Sequence, residues 1–258
     1  VETEEENKFP SDWFYRQRAY PKGYVDYGLR IASLDQARQL QRVRRTPRNR
    51  VQLQSATWRR CGPSNIGGRI TTMAISRQSP NILYIGAADG GVLKTTNGGT
   101  NWTPLFDDQP SLSIGAVAVD PSDDNIVYVG TGEVNSSGGS YDGFGMVKST
   151  DGGTTWFPLG LEDTRHIGKI IIDPVSHGTL YVASMGTLFT GNKARGVFKS
   201  TDGGTTWTRV LFVNDSTGVV DLAIDPQHSN VLLAAAWQRM RSPQGRRFLC
   251  GLWQPVAP

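Results

Sequence analysis

The chain has 258 residues, 38% hydrophobic and 19% charged, an ordinary globular composition with enough apolar content for a packed core. It has no run of about 18 apolar residues, so no membrane-spanning helix is expected. Its net charge of +4 is uneven: residues 1–60 hold 13 Lys/Arg against 7 Asp/Glu, and residues 61–258 hold 14 against 16. The basic character therefore belongs to the N-terminal segment and does not make the remainder a nucleic-acid binder.

Residues 1–57 read as an extension. The chain opens on Val1 rather than Met, so any leader is expected to lie outside it. Val1–Phe9 is acidic and polar and reads as an unstructured start. Trp13, Phe14, Tyr15 and Tyr20 cluster next and read as a strap packed on the outside of the following domain. Ser33-Leu34-Asp35-Gln36 resembles a capping box, which predicts a short helix over about 34–44. Arg38, Arg42, Arg44, Arg45, Arg48 and Arg50 fit a solvated linker better than a nucleic-acid or lipid contact. Cys61 and Cys250 are a lone distant pair, expected as two unpaired thiols.

Residues 58–247 are repetitive. KTTNGGTNW (94–102) recurs as KSTDGGTTW at 148–156 and 199–207, placing Asn97, Asp151 and Asp202 at separations of 54 and 51 residues. A second marker, an apolar run closed by Asp-Pro, places Asp120, Asp173 and Asp225 at separations of 53 and 52, with Ser76 taking the same place in the first unit. Two markers with one period define a structural repeat. In the second unit, 114–119 alternates as a first strand (A), and Asp120-Pro121 begins a turn. IVYVG (126–130) is a second strand (B), 146–149 a third (C) and 154–158 a fourth (D). Four short strands per 50 or so residues describe a propeller blade. The fold expected is all-β: a partial β-propeller of three complete four-stranded blades and part of a fourth.

The recurrent turn has a mechanical reading. Its Asp or Asn accepts hydrogen bonds from its own loop, its glycines take positive φ, and Trp102, Trp156 and Trp207 cover the turn and pack between strands. A carboxylate consumed this way is a poor catalyst, and Asn97 in the first copy has no acid–base capacity at all.

These residues resemble the BNR/Asp-box propellers, a group that includes sialidases, xyloglucanase-type glycoside hydrolases and sortilin-type receptors. DWFYRQRAYP (12–21), GPSNIGGRI (62–70), 106–121, YVGTGE (128–133), RHIGKIIIDP (165–174) and 213–226 are most similar to large secreted bacterial proteins. These are described as sortilin-like or glycosyl-hydrolase BNR-repeat proteins, many with a sorting domain for type-nine secretion. The resemblance implies an extracellular or cell-surface protein and no defined activity.

The fourth unit runs normally to Trp237, but no further box occurs near residue 253. Residues 248–258 therefore read as an aberrant or truncated tail, and the rest of the ring is expected from a longer chain or by association.

Turns A–B and C–D lie on one face of a blade, and loops B–C and D–A on the other. The repeat turns thus mark the face opposite the site. Relative to the first unit, the second and third carry B–C insertions of 10 and 8 residues, where function concentrates. Arg69, Asp89, Glu133, Asp142, Arg165, His166, Asp215 and Arg239 all fall on that side and are the ligand-binding candidates. Glu133 and Asp142 are the carboxylate pair to test for glycoside hydrolysis. No arginine triad with a Tyr nucleophile, no metal-ligand spacing and no phosphate-cradling loop is present, so neither metal nor cofactor is expected. The favoured reading is a secreted module binding protein or glycan ligands without chemistry. The alternative is a fragment of a glycoside hydrolase-like enzyme acting on polysaccharide.

Overall fold

The computed structural model describes residues 68–135 and 140–240, strand 253–256, and positions 17, 19–22, 26, 28–29, 32–33, 36 and 39 of the N-terminal segment. Four antiparallel meanders follow one another. Blade 1 is β1 (Ile70–Ile75), β2 (Leu83–Ala87), β3 (Val92–Thr95) and β4 (Thr103–Pro104). Blade 2 is β5 (Ile114–Asp120), β6 (Asp123–Thr131), β7 (Met146–Ser149) and β8 (Phe157–Pro158). Blade 3 is β9 (Ile167–Ile172), β10 (Leu180–Ser184), β11 (Gly196–Ser200) and β12 (Thr208–Leu211). Blade 4 is β13 (Thr217–Ile224), β14 (Leu232–Gln238) and β15 (Trp253–Val256). The molecule is a partial β-propeller. Trp253–Val256, in the stretch that the sequence sets apart as a tail, pairs antiparallel with β14 from Ala235↔Trp253 to Leu232↔Val256. It supplies the third strand of blade 4.

The two markers account for the turns. Asp120 Oδ1 accepts from Ser122 N at 2.8 Å, Asp173 Oδ1 from Val175 N at 2.8 Å, and Asp225 Oδ1 from Gln227 N at 2.8 Å. Ser76 Oγ does the same for Gln78 and Ser79 in blade 1. At the C–D turn of blade 2, Ser149 Oγ donates to Asp151 Oδ1 and accepts from Gly153 N. Asp151 Oδ1 also accepts from Thr155 N at 2.8 Å, and Oδ2 from the Thr155 hydroxyl at 2.6 Å. Asp202 repeats this set with Thr206, and Asn97 Oδ1 accepts from Asn101 N at 3.0 Å. The fourth strand of blade 2 is consequently shorter than its sequence suggests, beginning at Phe157 rather than Thr154. Thr154 and Thr155 are bound into the loop and cannot join the ladder.

The apolar cores lie between the blades. Tyr84 and Val92 of blade 1 pack with Val117, Val127, Val129 and Val147 of blade 2. Tyr128 and Met146 of blade 2 pack with Ile170, Leu180 and Val182 of blade 3. Tyr181 and Val197 of blade 3 pack with Leu222, Leu232 and Ala234 of blade 4. Period-2 alternation thus sends each strand's residues to two different neighbours. Two of the turn tryptophans, Trp156 and Trp207, reach further than covering their own turn, because they cross to the preceding blade. Trp156 Nε1 donates to Leu105 O at 2.9 Å, and Trp207 Nε1 to Leu159 O at 2.8 Å. In the other direction, Lys94 Nζ and the Tyr84 hydroxyl of blade 1 both donate to Gly152 O in the turn of blade 2. The innermost strands approach so closely that a Cβ on Gly115 would lie 1.9 Å from Ile167 O. The faces of blades 1 and 4 that have no neighbouring described blade expose Met73, Ile75 and Leu233.

The N-terminal helix differs from its sequence reading. Positions 28, 29, 32, 33, 36 and 39 are helical, so the helix starts before Leu34. Ser33 is not its cap: the hydroxyl donates to Leu29 O four residues back. Asp26 takes that role, with Oδ1 accepting from Leu29 N at 3.1 Å. Tyr20 is 84% exposed and is not packed as a strap. Trp13, Phe14, Tyr15, the arginine run, Cys61 and Cys250 lie outside the described residues.

Hydrogen bonds from the Thr155 and Thr206 hydroxyls, then from the backbone and from Ser149 and Ser200, hold Asp151 and Asp202 down to about 2, from an ordinary 3.8. A carboxylate with a depressed folded pKa contributes stability above its unfolded pKa and loses it as pH falls through the folded value. Thermal midpoints are therefore expected to drop as pH falls from 3.8 towards 2, and less steeply in the Asp151→Asn, Asp202→Asn double variant. Parallel curves for the two proteins across that window would refute this.

Candidate functional site

Loops B–C and D–A of blades 1 to 3 bring a polar cluster together at one end. Arg69 immediately precedes β1, Ser113 precedes β5, Glu133 follows β6, Ser140 and Asp142 lie in the inserted loop before β7, and Arg165 and His166 precede β9. Backbone bonds tie these segments to one another. Gly132 N donates to Ser113 O at 2.7 Å, Gly143 N to Arg165 O at 2.7 Å, and Ile167 N to Gly132 O at 3.1 Å. The cluster is thus framed by three blades rather than carried on one loop.

Glu133 sits at its centre, 1% exposed. Arg69 grips it bidentately, with Nη1 on Oε2 and Nη2 on Oε1 at 2.5 Å. The Ser140 hydroxyl donates to Oε1 at 2.8 Å, and Asn135 Nδ2 to Oε2 at 3.1 Å. Burial alone would raise the pKa of Glu133. The bonds from Arg69 and Ser140, the Arg69 charge and the Asn135 amide outweigh that and hold the carboxyl below its usual range. Glu133 is a fixed anion, and Asp89 adds a second negative charge near Arg69.

Asp142 faces His166. The ring of His166 is fully buried, and its Nδ1 lies 2.8 Å from Gly186 O. A carbonyl can only accept, so Nδ1 carries a proton. Nε2 lies 3.5 Å from Asp142 Oδ1. The loop is held in place by Ser111, whose hydroxyl donates to Asp142 O at 2.9 Å.

The remaining candidates differ in where they lie. Arg165 is buried, with Nη2 3.6 Å from the exposed Asp163. Asp215 is exposed, and its carbonyl accepts from Asn192 N. Arg239 stacks on Trp237 with its guanidinium carbon 4.4 Å from the ring centroid, and burial lowers its pKa. The structure thus gathers Arg69, Glu133, Asp142, Arg165 and His166, and leaves Asp215 and Arg239 apart on the loops of blades 3 and 4. Among the described residues no three His, Cys, Asp or Glu side chains converge as a metal site, and no helix is long and apolar enough to cross a membrane.

One residue has no sequence signal. Arg195, in the B–C insertion of blade 3, is fully buried. Its guanidinium donates to Thr187 O at 2.5 Å, Thr190 O at 3.2 Å, Ser216 O at 3.3 Å and Arg239 O at 3.4 Å. It fastens the inserted loop to blade 4. Only the length of the insertion hints that something must hold it.

No protein-family model matches the chain. It is similar to a xyloglucanase of Paenibacillus sp, 27% identical over 195 residues, which are 70% of this chain and 18% of that protein. It is also similar to a xyloglucanase of Hypocrea jecorina, 27% identical over 188 residues, 67% of this chain and 21% of that protein. The chain thus spans about a fifth of the length of these relatives. Among solved structures it resembles an ancestral GH74 enzyme, at 23% identity and a TM-score of 0.55 over 73% of this chain and 25% of that one. It also resembles the GH74 enzyme of Niastella koreensis, at 22% and 0.52 over 73% of this chain and 30% of that one. At these identities the two structures show the propeller fold alone.

Removing Arg69 leaves a buried carboxylate without its counter-charge. Arg69→Met is expected to cost about 2 kcal/mol, short of a fully buried pair because Arg69 is half exposed. Glu133→Gln should cost less, since an amide keeps partners in Ser140 and Asn135. Arg195→Met removes a donor from four carbonyls, of which Thr190 O and Ser216 O keep another, and is expected to cost about 3 kcal/mol. Denaturant unfolding of the three variants checks this ranking.

Proposed function

We propose that the chain is a segment of a glycoside hydrolase-like propeller that engages a xyloglucan-type polysaccharide across its B–C and D–A loops. The observation that carries this reading is the 27% identity to a xyloglucanase over 70% of the chain. The cluster of Arg69, Glu133, Asp142, Arg165 and His166 supports it by offering fixed donors and acceptors at one end of the blades. A xyloglucan-type polysaccharide as ligand fits a protein that works outside the cell.

The two carboxylates then differ in role. A general acid must hold a proton near neutral pH, and Glu133, ionised and held by three donor side chains, does not. It positions Arg69 and the loop. Asp142, paired with the imidazole of His166, is the group suited to move a proton. Glycoside hydrolysis needs two carboxyl groups, and the locking of Glu133 favours a second reading in which these blades bind polysaccharide without cleaving it.

Electrophoresis through gels containing xyloglucan, with reducing-end release measured alongside, separates the two. Retardation in the gel is expected in both cases. Hydrolysis that falls about 100-fold in Asp142→Asn while retardation persists supports the catalytic reading. Retardation without release supports the binding reading. Migration unaffected by xyloglucan overturns the proposal.

A further inference from the structure

A groove of about 830 Å³ runs between blades 2 and 3, bounded by the 3-10 turn Glu162–Thr164, the B–C loop of blade 3, and Trp207 and Arg209 at the outer edge of that blade. It falls within the size range of ligand sites, and it exists because one repeat departs from its neighbour. Trp156 and Trp207 are equivalent, and each donates to a leucine carbonyl of the preceding blade. The residue after Leu105 is Phe106, which is buried and meets Trp156 edge-on at 5.2 Å between ring centroids. The residue after Leu159 is Gly160, and apart from its two chain neighbours no residue comes within 4 Å of where its Cβ would stand. The aromatic plug between blades 1 and 2 is therefore missing between blades 2 and 3, and Trp207 lines open space.

The wall opposite Trp207 is strained. Leu161 and Arg165, either side of the 3-10 turn, have φ of 62° and 58°. Left-handed backbone at non-glycine residues costs about 1–3 kcal/mol and concentrates at ligand clamps. The charges that line the groove are mixed: Glu162 and Asp163 with Lys193, Arg209 and the buried Arg165. An anion would meet the carboxylates, and a cation the three basic groups. A neutral polyhydroxylated ligand can use both as hydrogen-bonding partners while the apolar face of a pyranose ring covers an indole.

We propose that this groove is a binding site for a neutral oligosaccharide, adjoining the Glu133 cluster at Arg165, with Trp207 as its ring platform. The proposal rests on the polysaccharide reading above and assigns that ligand a second place of contact. Gly28 also borders the groove.

Titration of the full chain with a xyloglucan heptasaccharide, followed by tryptophan fluorescence and calorimetry, tests the assignment. Trp207→Ala is expected to weaken binding at least tenfold and to remove most of the fluorescence change. Because Trp207 also bonds to Leu159, two variants at exposed positions accompany it. Lys193→Trp, which fills the groove, should weaken binding with the thermal midpoint unchanged, and Arg209→Ala, which also loses a bond to Lys193 O and a stack on Phe212, should weaken it with the midpoint lowered. Equal affinity in the parent, Lys193→Trp and Arg209→Ala would overturn the groove assignment and leave the polysaccharide reading standing. Groove-dependent binding of a different neutral oligosaccharide, with none of the xyloglucan fragment, would uphold the groove and overturn xyloglucan as the ligand. No binding of any neutral oligosaccharide would overturn both.

Discussion

The structure depends on contacts between blades rather than within them. Every apolar cluster draws from two successive sheets, and a single four-stranded meander has no interior of its own. The bonds from Trp156 and Trp207 to the carbonyl of a preceding leucine tie one sheet to the next. Tyr84 and Lys94 return the contact to Gly152. These bonds lie towards the periphery, while Gly115 lets the inner strands close to van der Waals distance at the axis. Blade position is thus fixed at both radii, and the loops at the far end inherit that precision.

The Glu133 cluster shows what the rigidity is worth. Arg69 comes from blade 1, Glu133 and Asp142 from blade 2, and His166 from the start of blade 3. Their mutual geometry is therefore a property of two blade interfaces. A buried carboxylate with four side-chain bonds from three residues tolerates little displacement, because each lost bond exposes an uncompensated charge. The repeat turns at the opposite end hold the frame with carboxylates of their own, consumed in their loops.

The fold was legible because the markers act locally. Asp120, Asp173 and Asp225 each cap the turn in which they occur, and Asn97, Asp151 and Asp202 each satisfy their own loop, so period and strand order could be read directly. What failed were readings that needed one segment to be judged against another. Ser33 followed by Gln36 has the pattern of a cap, yet Asp26 starts the helix earlier. The fourth strand lost Thr154 and Thr155 to the Asp151 loop. Residues 253–256 carry no repeat marker, but they match the free edge of β14. At the site, the side of the blades could be deduced from connectivity and Glu133 could be singled out, but its grip by Arg69, 64 residues away, could not. Arg195 was invisible for the same reason, since its partners are carbonyls and any sequence supplies those. The groove beside Trp207 lies between these cases: substitution of Gly160 for Phe106 is written in the repeat alignment, but only packing shows that it opens space.

Hydrogen exchange on a Trp156→Phe variant tests most directly whether the blades are held by their shared interfaces. The variant keeps an aromatic ring and loses the single bond to Leu105. If interfaces govern, exchange will rise in peptides of both blade 1, around residues 92–106, and blade 2, around 146–158. A rise confined to blade 2 would mean that each blade is stabilised internally and would contradict the account.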